Sequence, residues 1–179
     1  ELNAGMPASG SNTFLFGMLS KELGIELNSV ECASEADRLT NLAGGFIDVG
    51  VVGVGNAVEY EKAGKLKVIG TVASDGITIG DYPEELSDNY KTLQEQGYEN
   101  CTMSIYHYLL GPAGMDEKMV AEMNEAMKAV AEDPTVKDGI ASIGCIPGWH
   151  DLEESKEIHD KEYAQFVDIA KSLGVCEVE

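Results

Sequence analysis

Short helix-like and strand-like segments alternate between residues 15 and 72, and this alternation constrains the fold more than any other feature of the sequence. Such alternation is typical of strand–helix–strand units, whose consecutive strands pair in parallel. The nearly uncharged run at residues 46–54 (FIDVGVVGV) indicates a strand covered on both faces, which we expect to be central. The predicted fold class is therefore α/β, with a mostly parallel sheet flanked by helices.

Capping and turn residues set the limits of the predicted elements. We expect Ser11 or Asn12 to cap a helix that stops at Gly24, and Ser34 to cap a second helix that ends at Gly44. An acidic loop with one turn of helix is predicted at residues 74–96. Strands are predicted at residues 25–32, 46–54, 66–73 and 103–110, and helices at residues 14–23, 34–43, 56–63, 116–132, from 133 onward, and 152–173.

Charge and composition exclude several classes of function. The chain has 179 residues, enough for one domain or one domain plus part of another. It carries 32 acidic and 12 basic side chains, a formal charge of -20, and Arg38 is its one arginine. Binding to nucleic acid or to anionic membranes needs clustered basic residues, so both are excluded as predicted partners. The sequence also shows no basic segment followed by an apolar run at its start.

Cysteines and histidines give no pattern typical of a metal site. The cysteines lack C-x-x-C spacing and are interpreted as mostly buried thiols, although a disulfide stays open. The histidines share no spacing and are interpreted as isolated packing or surface residues. We therefore predict no metal and no cofactor for this chain; the residues concerned are Cys32, Cys101, Cys145 and Cys176, and His107, His150 and His159.

One glycine-rich turn suggests an alternative, enzymatic function. Residues 53–58 (GVGNAV) follow a hydrophobic strand, precede a helix and are followed about twenty residues later by Asp75, which nearly matches a dinucleotide-binding fingerprint. The third glycine of that fingerprint is Val58 here, and the helix that follows is short. A nucleotide-binding enzyme domain is thus the alternative hypothesis, and an acidic interaction module is a third.

Three predicted helices begin with small, polar residues directly after strand-like segments. A helix start presents unpaired backbone N–H groups and a positive dipole end, and parallel strands bring such starts to one edge of the sheet. We predict that Ser11 and the backbone at residues 34–37 hold a carboxylate, while Asp37 caps its helix or accepts an amine. Purely structural capping is the competing interpretation. The predicted ligand-binding residues are Ser9, Gly10, Ser11, Asn12, Ser34, Glu35, Ala36, Asp37, Gly53, Val54, Gly55 and Asn56.

A series of short motifs spans nearly the whole chain. They are the Gly- and Ser-rich segment 7–13, LAGG followed by Ile47-Asp48, AGKLKV at 63–68, TLQEQGY at 92–98, GPAG at 111–114 and EDPTV at 132–136. In this order they resemble the solute-binding receptors of tripartite tricarboxylate transporters, often called Bug-type receptors. The resemblance implies a periplasmic-binding-protein-like fold, in which two α/β lobes close on a small, usually carboxylate-bearing solute.

The resemblance also implies how the chain is organised. Residues 1–98 would form the ligand-binding second lobe, and residues 99–179 a crossing strand and helices that return toward an incomplete first lobe. The implied function is that of a non-enzymatic, extracytoplasmic receptor, in the periplasm or as a cell-surface lipoprotein, whose signal and first-lobe residues are absent from this chain. Its implied partners are a small organic acid or amino acid and membrane transporter subunits.

A receptor with only one wall of its solute site should behave differently from a complete one. Losing about half the contacts of a micromolar site would leave affinity in the millimolar range or weaker. Helical periodicity at residues 116–132 places Met123 and Met127 on a stripe that the first lobe should cover. We therefore expect weak solute binding and self-association of the isolated chain through its carboxyl-terminal helices.

Overall fold

A three-stranded parallel sheet lies at the centre of the computed structural model, which describes residues 2–82 and 90–174. The strands are β1 (Leu2–Met6), β2 (Leu27–Glu31) and β3 (Val49–Gly50), in the order β2-β1-β3. The β1–β2 register runs from Leu2 opposite Leu27 to Met6 opposite Glu31, and β1–β3 pairs Gly5 with Gly50. The predicted parallel α/β sheet flanked by helices is confirmed.

Six α-helices and one short 3-10 turn accompany the described strands. Most caps follow the sequence: Gly24 and Gly174 end helices in the left-handed conformation, and Ser34, Asp116, Asp133 and Asp151 cap helix starts. The prediction that Ser11 or Asn12 caps the first helix is wrong, because both lie inside that helix and Gly10 is its N-cap. The helices are α1 (Ser11–Leu23), α2 (Glu35–Ala43), α3 (Val54–Lys62), α4 (Glu117–Glu132), α5 (Pro134–Ser142) and α6 (Leu152–Leu173), with the 3-10 turn at Ile79–Asp81. The helix predictions are therefore confirmed to within a few residues, and the loop at 74–96 contains the expected helical turn in its described part.

The strand order places α1 and α2 on opposite faces of the sheet. The chain moves outward from β1 to β2 and then returns past β1 to reach β3. Because such crossovers are right-handed, reversing the direction also reverses the face that the connecting helix covers. On the α1 face, Leu15 and Met18 pack with Met103, and Phe14 meets Phe166 of α6 at a ring-centroid distance of 5.5 Å.

The prediction that residues 46–54 form the central strand is wrong. β3 is only two residues long and lies at the edge of the described sheet, whereas β1, which the sequence analysis did not predict, is central. The ladder stops because the carbonyl of Val51 accepts a hydrogen bond from Nε of Arg38 at 2.7 Å. The Arg38 side chain thus supplies the hydrogen-bond donor that a neighbouring strand would otherwise provide.

Two further predicted strands are absent from the described residues. Residues 66–73 contribute one isolated parallel bridge, Thr71 to Thr92, because side chains bond part of their backbone: Val68 N–H donates to Glu61. Residues 103–110 pair only at their start, where Met103 N–H donates to Ala73 at 3.0 Å. No described strand lies beside the rest of that segment, and its Leu110 side chain is 84% exposed.

The apolar stripe of α4 is exposed, as the sequence predicts. Met119, Met123, Met127 and Val130 are between 41% and 51% exposed.

No helix within residues 2–82 and 90–174 combines the length and apolarity of a membrane span. Among the cysteines, the first two are buried and the third is exposed, all as free thiols, while Cys176 lies outside the described residues. The predicted boundary at residue 98 stays a prediction.

Candidate solute-binding edge

All three strands of the sheet lead into helices at the same edge. β1, β2 and β3 run in parallel, and α1, α2 and α3 begin four to five residues after them. The sequence-predicted residues occupy these three starts: residues 9–12 precede and open α1, residues 34–37 open α2, and residues 53–56 open α3. This carboxyl edge is where open α/β sheets place their ligands.

The start of α2 is capped by its own residues. The Ser34 hydroxyl accepts from the Asp37 N–H at 3.1 Å, and the Asp37 carboxylate accepts from the Ser34 N–H at 3.1 Å and from the Ser34 hydroxyl at 2.7 Å. This reciprocal pair is a capping box. Asp37 therefore acts as a cap, one of the two roles that the sequence allowed.

The start of α3 binds a carboxylate from α2. Oε1 of Glu35 accepts from the Gly53 N–H at 2.9 Å and from Nδ2 of Asn56 at 2.8 Å. A carboxylate at the positive end of α3 is stabilised by the helix dipole and by these two donors. Glu35 therefore joins two of the three predicted helix starts and places a negative charge beside the first turn of α3.

The start of α1 has no such cap. Gly10 occupies the N-cap position at φ 123°, in the region that glycine alone adopts without strain, and it offers no capping side chain. No acidic residue lies in the first turn, and Thr13 directs its hydroxyl back to the Pro7 carbonyl at 3.1 Å. Ser11 and Asn12 are half-buried, while Ser9 and Gly10 are exposed. Of the three starts, α1 is the one at which no described carboxylate accepts a hydrogen bond.

Sequence reasoning missed Arg38 as a member of this edge. Its side chain is 8% exposed and bonds the Val51 carbonyl and, at 3.5 Å through Nη1, the Cys32 carbonyl. Both carbonyls lie one residue beyond the ends of their strands. A single arginine placed in the first turns of a helix that follows a strand was the signal that could have identified it.

The turn between α5 and α6 also reaches the start of α3, which the sequence did not indicate. Gly144 has φ 79°, and a Cβ there would lie 3.0 Å from Cβ of Val54 and 3.1 Å from the Gly55 nitrogen. A Cβ at Gly55 would lie 3.5 Å from the Ile143 carbonyl oxygen. Residues 143–144 therefore form a close wall against the first turn of α3.

In the described part of the chain, no three His, Cys, Asp or Glu side chains cluster as metal ligands would. Two histidines instead pack against tyrosines. His150 meets the ring of Tyr106 at 5.9 Å, and His159 lies between the rings of Tyr108 at 6.0 Å and Tyr163 at 6.4 Å.

This chain resembles one known protein family along nearly its whole length. The model of the tripartite tricarboxylate transporter family receptor (TctC) matches residues 2–175. A curated relative, the UPF0065 protein in the TAR-I ttuE-ttuC' intergenic region of Agrobacterium vitis, is 25% identical over 172 residues, which cover 95% of this chain and 47% of that protein.

Solved structures share the fold at low sequence identity. R. palustris Rpa4515 with adipate superposes with a TM-score of 0.81 at 20% identity and covers 99% of this chain. A TctC solute binding protein from Polaromonas gives 0.74 at 16% identity over 96% of the chain, and the periplasmic binding protein BugD gives 0.73 at 18% over 97%. The chain covers 57% of each of these three structures, so it spans about half the length of the relatives it matches.

Proposed function

The chain belongs to the tripartite tricarboxylate transporter family of receptors, and from that premise we propose that it forms the solute-binding lobe of an extracytoplasmic receptor. The receptor would bind a small carboxylate-bearing solute, an organic acid or an amino acid, and deliver it to membrane transporter subunits. Because the chain spans about half the length of its relatives, we assign it one wall of the solute site.

The observation that carries this proposal is the uncapped start of α1. The starts of α2 and α3 already have carboxylate partners in Asp37 and Glu35. The start of α1 has a glycine at its N-cap and no acidic side chain in its first turn. Backbone N–H groups at a helix start bind anions, so we place the solute's carboxylate at Ser11 and Asn12.

The chemistry of a relative supports a carboxylate solute. The R. palustris protein of similar fold was solved with adipate, a compound with a carboxylate at each end. One such group fits the start of α1, and the other would face the opposite wall of a closed receptor. The formal charge of -20 disfavours a highly charged anion, although exposed charges more than about 10 Å away are largely screened by salt.

The alternative of a nucleotide-binding enzyme fits the same edge less well. In a dinucleotide-binding turn the helix start after the glycines receives a pyrophosphate. Here the Gly53 N–H donates to the carboxylate of Glu35 at 2.9 Å, so a phosphate would meet a negative charge at the place it should bind. The backbone N–H donors and the hydroxyl and amide side chains at the start of α1 suit retention of a solute without chemical change.

Exposed apolar side chains support contact with a further lobe. They lie on the α4 stripe and, in a separate segment, at Ile105, Leu109 and Leu110, which are 68%, 63% and 84% exposed. Groups of exposed apolar side chains mark an interaction surface. We propose that it contacts the other lobe in a complete receptor and drives self-association when the lobe is alone.

Ligand-induced thermal stabilisation tests the proposal. Stabilisation grows with the ratio of ligand concentration to dissociation constant, so adipate and related dicarboxylates at tens of millimolar should raise the melting temperature. The diamide of adipate, which has the same length but no charge, is the matched control and should not. A rise with NAD and none with carboxylates would contradict the receptor function, and no response to either would favour an acidic interaction module.

A further inference from the structure

We propose that Arg38 supplies the positive charge that pairs with the solute's carboxylate. This inference rests on the proposed function, since it names the protein group that faces the carboxylate. Arg38 is the one arginine in a chain of formal charge -20, and its side chain is 8% exposed. Arginine is almost never buried to this extent without a partner of opposite charge.

No described carboxylate neutralises this guanidinium. The ion pairs within 4.0 Å among residues 2–82 and 90–174 involve two lysines and two histidines, and Arg38 is in none of them. Its hydrogen bonds run to the backbone carbonyls of Val51 at 2.7 Å and Cys32 at 3.5 Å. A carbonyl satisfies an N–H group but leaves the charge without a counter-ion.

Part of the guanidinium stays available to a ligand. No described residue accepts a hydrogen bond from Nη2, and the bond from Nη1 is long. Trp149 Nε1 is the one side-chain nitrogen in the described residues that is both buried and without a partner, so Nη2 of Arg38 retains some exposure. Two parallel N–H groups of a guanidinium match the two oxygens of a carboxylate.

The guanidinium of Arg38 lies at the carboxyl end of β1, the strand that leads to α1. Cys32 and Val51 follow the strands on either side of β1, and the Cys32 N–H donates to the carbonyl of Met6, the last residue of β1. The Arg38 stem packs against Gly5 of β1, where a Cβ would lie 3.6 Å from Cγ of Arg38. The guanidinium therefore lies over the carboxyl end of β1, which continues through residues 7–10 into the uncapped start of α1.

The experiment is a titration of the whole chain followed by ¹⁵N NMR. Because Arg38 is the one arginine, its side-chain Nε–H and Nη–H signals are identified without further variants. Adipate is the probe, its neutral diamide is the matched control, and sodium chloride at equal ionic strength controls for screening. The Arg38 signals should shift saturably with adipate alone, together with the backbone amides of Ser11 and Asn12.

Two results would overturn the inference, and they are distinguishable. If the amides at the start of α1 saturate while the Arg38 signals stay unchanged or follow sodium chloride equally, the solute site stands and Arg38 is structural. If no signal at the carboxyl edge responds to adipate, the proposed function fails as well.

The adipate affinity of Arg38 variants tests the role of this charge independently. Arg38→Gln should weaken adipate binding by about tenfold or more, since it removes a charge-assisted hydrogen bond. Arg38→Lys keeps the charge and should restore part of the affinity, while Thr40→Ala, an exposed position on the same helix, should leave it unchanged. Equal affinities of the Gln and Lys variants would contradict the inference; if the Gln variant does not fold, the titration of the unaltered chain still decides it.

Discussion

Glu35 in the first turn of α2 accepts a hydrogen bond from the backbone N–H of Gly53, the N-cap of α3, at 2.9 Å. The two residues are 18 positions apart and belong to different strand–helix units. Their contact ties two of the three helix starts into one edge and leaves the third, at Ser11, without an internal carboxylate.

Removal of this contact should destabilise the chain. Glu35→Ala leaves the Gly53 N–H and the Asn56 amide without their acceptor, and we expect the free energy of unfolding to fall by about 1 to 2 kcal/mol, as for loss of a helix cap. Urea denaturation measures the change. Glu26→Ala, at an exposed position before β2, is the matched control and should change stability by less than about 0.5 kcal/mol. Equal effects of the two variants would show that the contact contributes nothing.

Gly144 should resist substitution more than Gly139 does. Gly144 has φ 79° and lies against Val54 and Gly55, so Gly144→Ala combines backbone strain with overlap and should cost about 1 to 3 kcal/mol. Gly139 lies within α5, and a Cβ there meets nothing within 4 Å. Gly139→Ala should therefore stabilise the chain by about 0.4 to 1 kcal/mol. Thermal unfolding of both variants tests this contrast, and equal melting temperatures would contradict it.

Gly5 and Ile47 should show strong energetic coupling. A Cβ at Gly5, in the central strand, would collide with Cδ1 of Ile47, which is 3% exposed and has little room to move. We expect Gly5→Ala to cost about 1 to 3 kcal/mol. Ile47→Val removes Cδ1 and should recover part of that loss in the double variant. A double-mutant cycle by urea denaturation measures the coupling, and strictly additive effects would argue against this packing.

The hydrogen bond between Tyr90 and Glu61 should make stability fall at high pH. It raises the pKa of Tyr90 to about 12 and lowers the pKa of Glu61. Because tyrosine in an unfolded chain titrates near pH 10, the protonated phenol stabilises the fold fully below that pH, and this stabilisation is lost as the pH rises from about 10 to 12. At acid pH, the Glu61 carboxylate contributes to the stability of the fold above about pH 4.3. This stabilisation is lost as the pH falls through the lowered pKa of Glu61.

Tyr90→Phe isolates this effect. The stability difference between the unaltered chain and the variant should be constant near neutral pH and should shrink above about pH 10. Denaturation by urea across this range measures it, with Tyr98→Phe as a control at a half-buried tyrosine. A difference that does not vary with pH would show that the phenol and the carboxylate are not coupled.

The α4 stripe should drive self-association of the chain. Met123 and Met127 are 42% and 41% exposed, so replacing both with lysine should reduce the fraction of dimers or larger species without unfolding the helix. Light scattering over a range of protein concentrations measures the mass. Glu125→Lys, on the opposite side of α4 by helical periodicity, is the control for added positive charge. A monomeric unaltered chain at high concentration would contradict the prediction.

Local chemistry made the helices predictable. Ser34 with Asp37, Asp133 before Pro134 and the left-handed Gly24 are signals contained within a few residues, and the structure uses each as the sequence suggested. Such caps depend on neighbouring backbone groups alone, so tertiary packing does not override them.

Strand order depended on contacts that the sequence does not display. The run at residues 46–54 has the composition of a central strand, but its ladder ends where Arg38 takes the Val51 carbonyl. β1 is central although Ala4 and Gly5 have weak strand signals. The small size of Gly5 allows Ile47 and the Arg38 stem to pack against it, and Ala4 packs in a cluster with Phe16. These contacts join residues that are far apart in the sequence, so the spacing of apolar residues does not reveal them.

The meeting of three helix starts at one edge was predictable, whereas the side-chain contacts made there were not. Parallel topology alone implies that three helix starts meet at one edge. Two side chains of α2 make these contacts. Glu35 reaches the N-cap of α3, and Arg38 reaches the end of β1.

A crystal structure of this chain with adipate at saturating concentration would show where the solute's carboxylate binds. We expect one carboxylate within hydrogen-bond distance of the backbone N–H groups of Ser11 and Asn12, with Glu35 still bound to Gly53. Adipate bound away from the carboxyl edge of the sheet, or a carboxylate that displaces Glu35 from the start of α3, would contradict it.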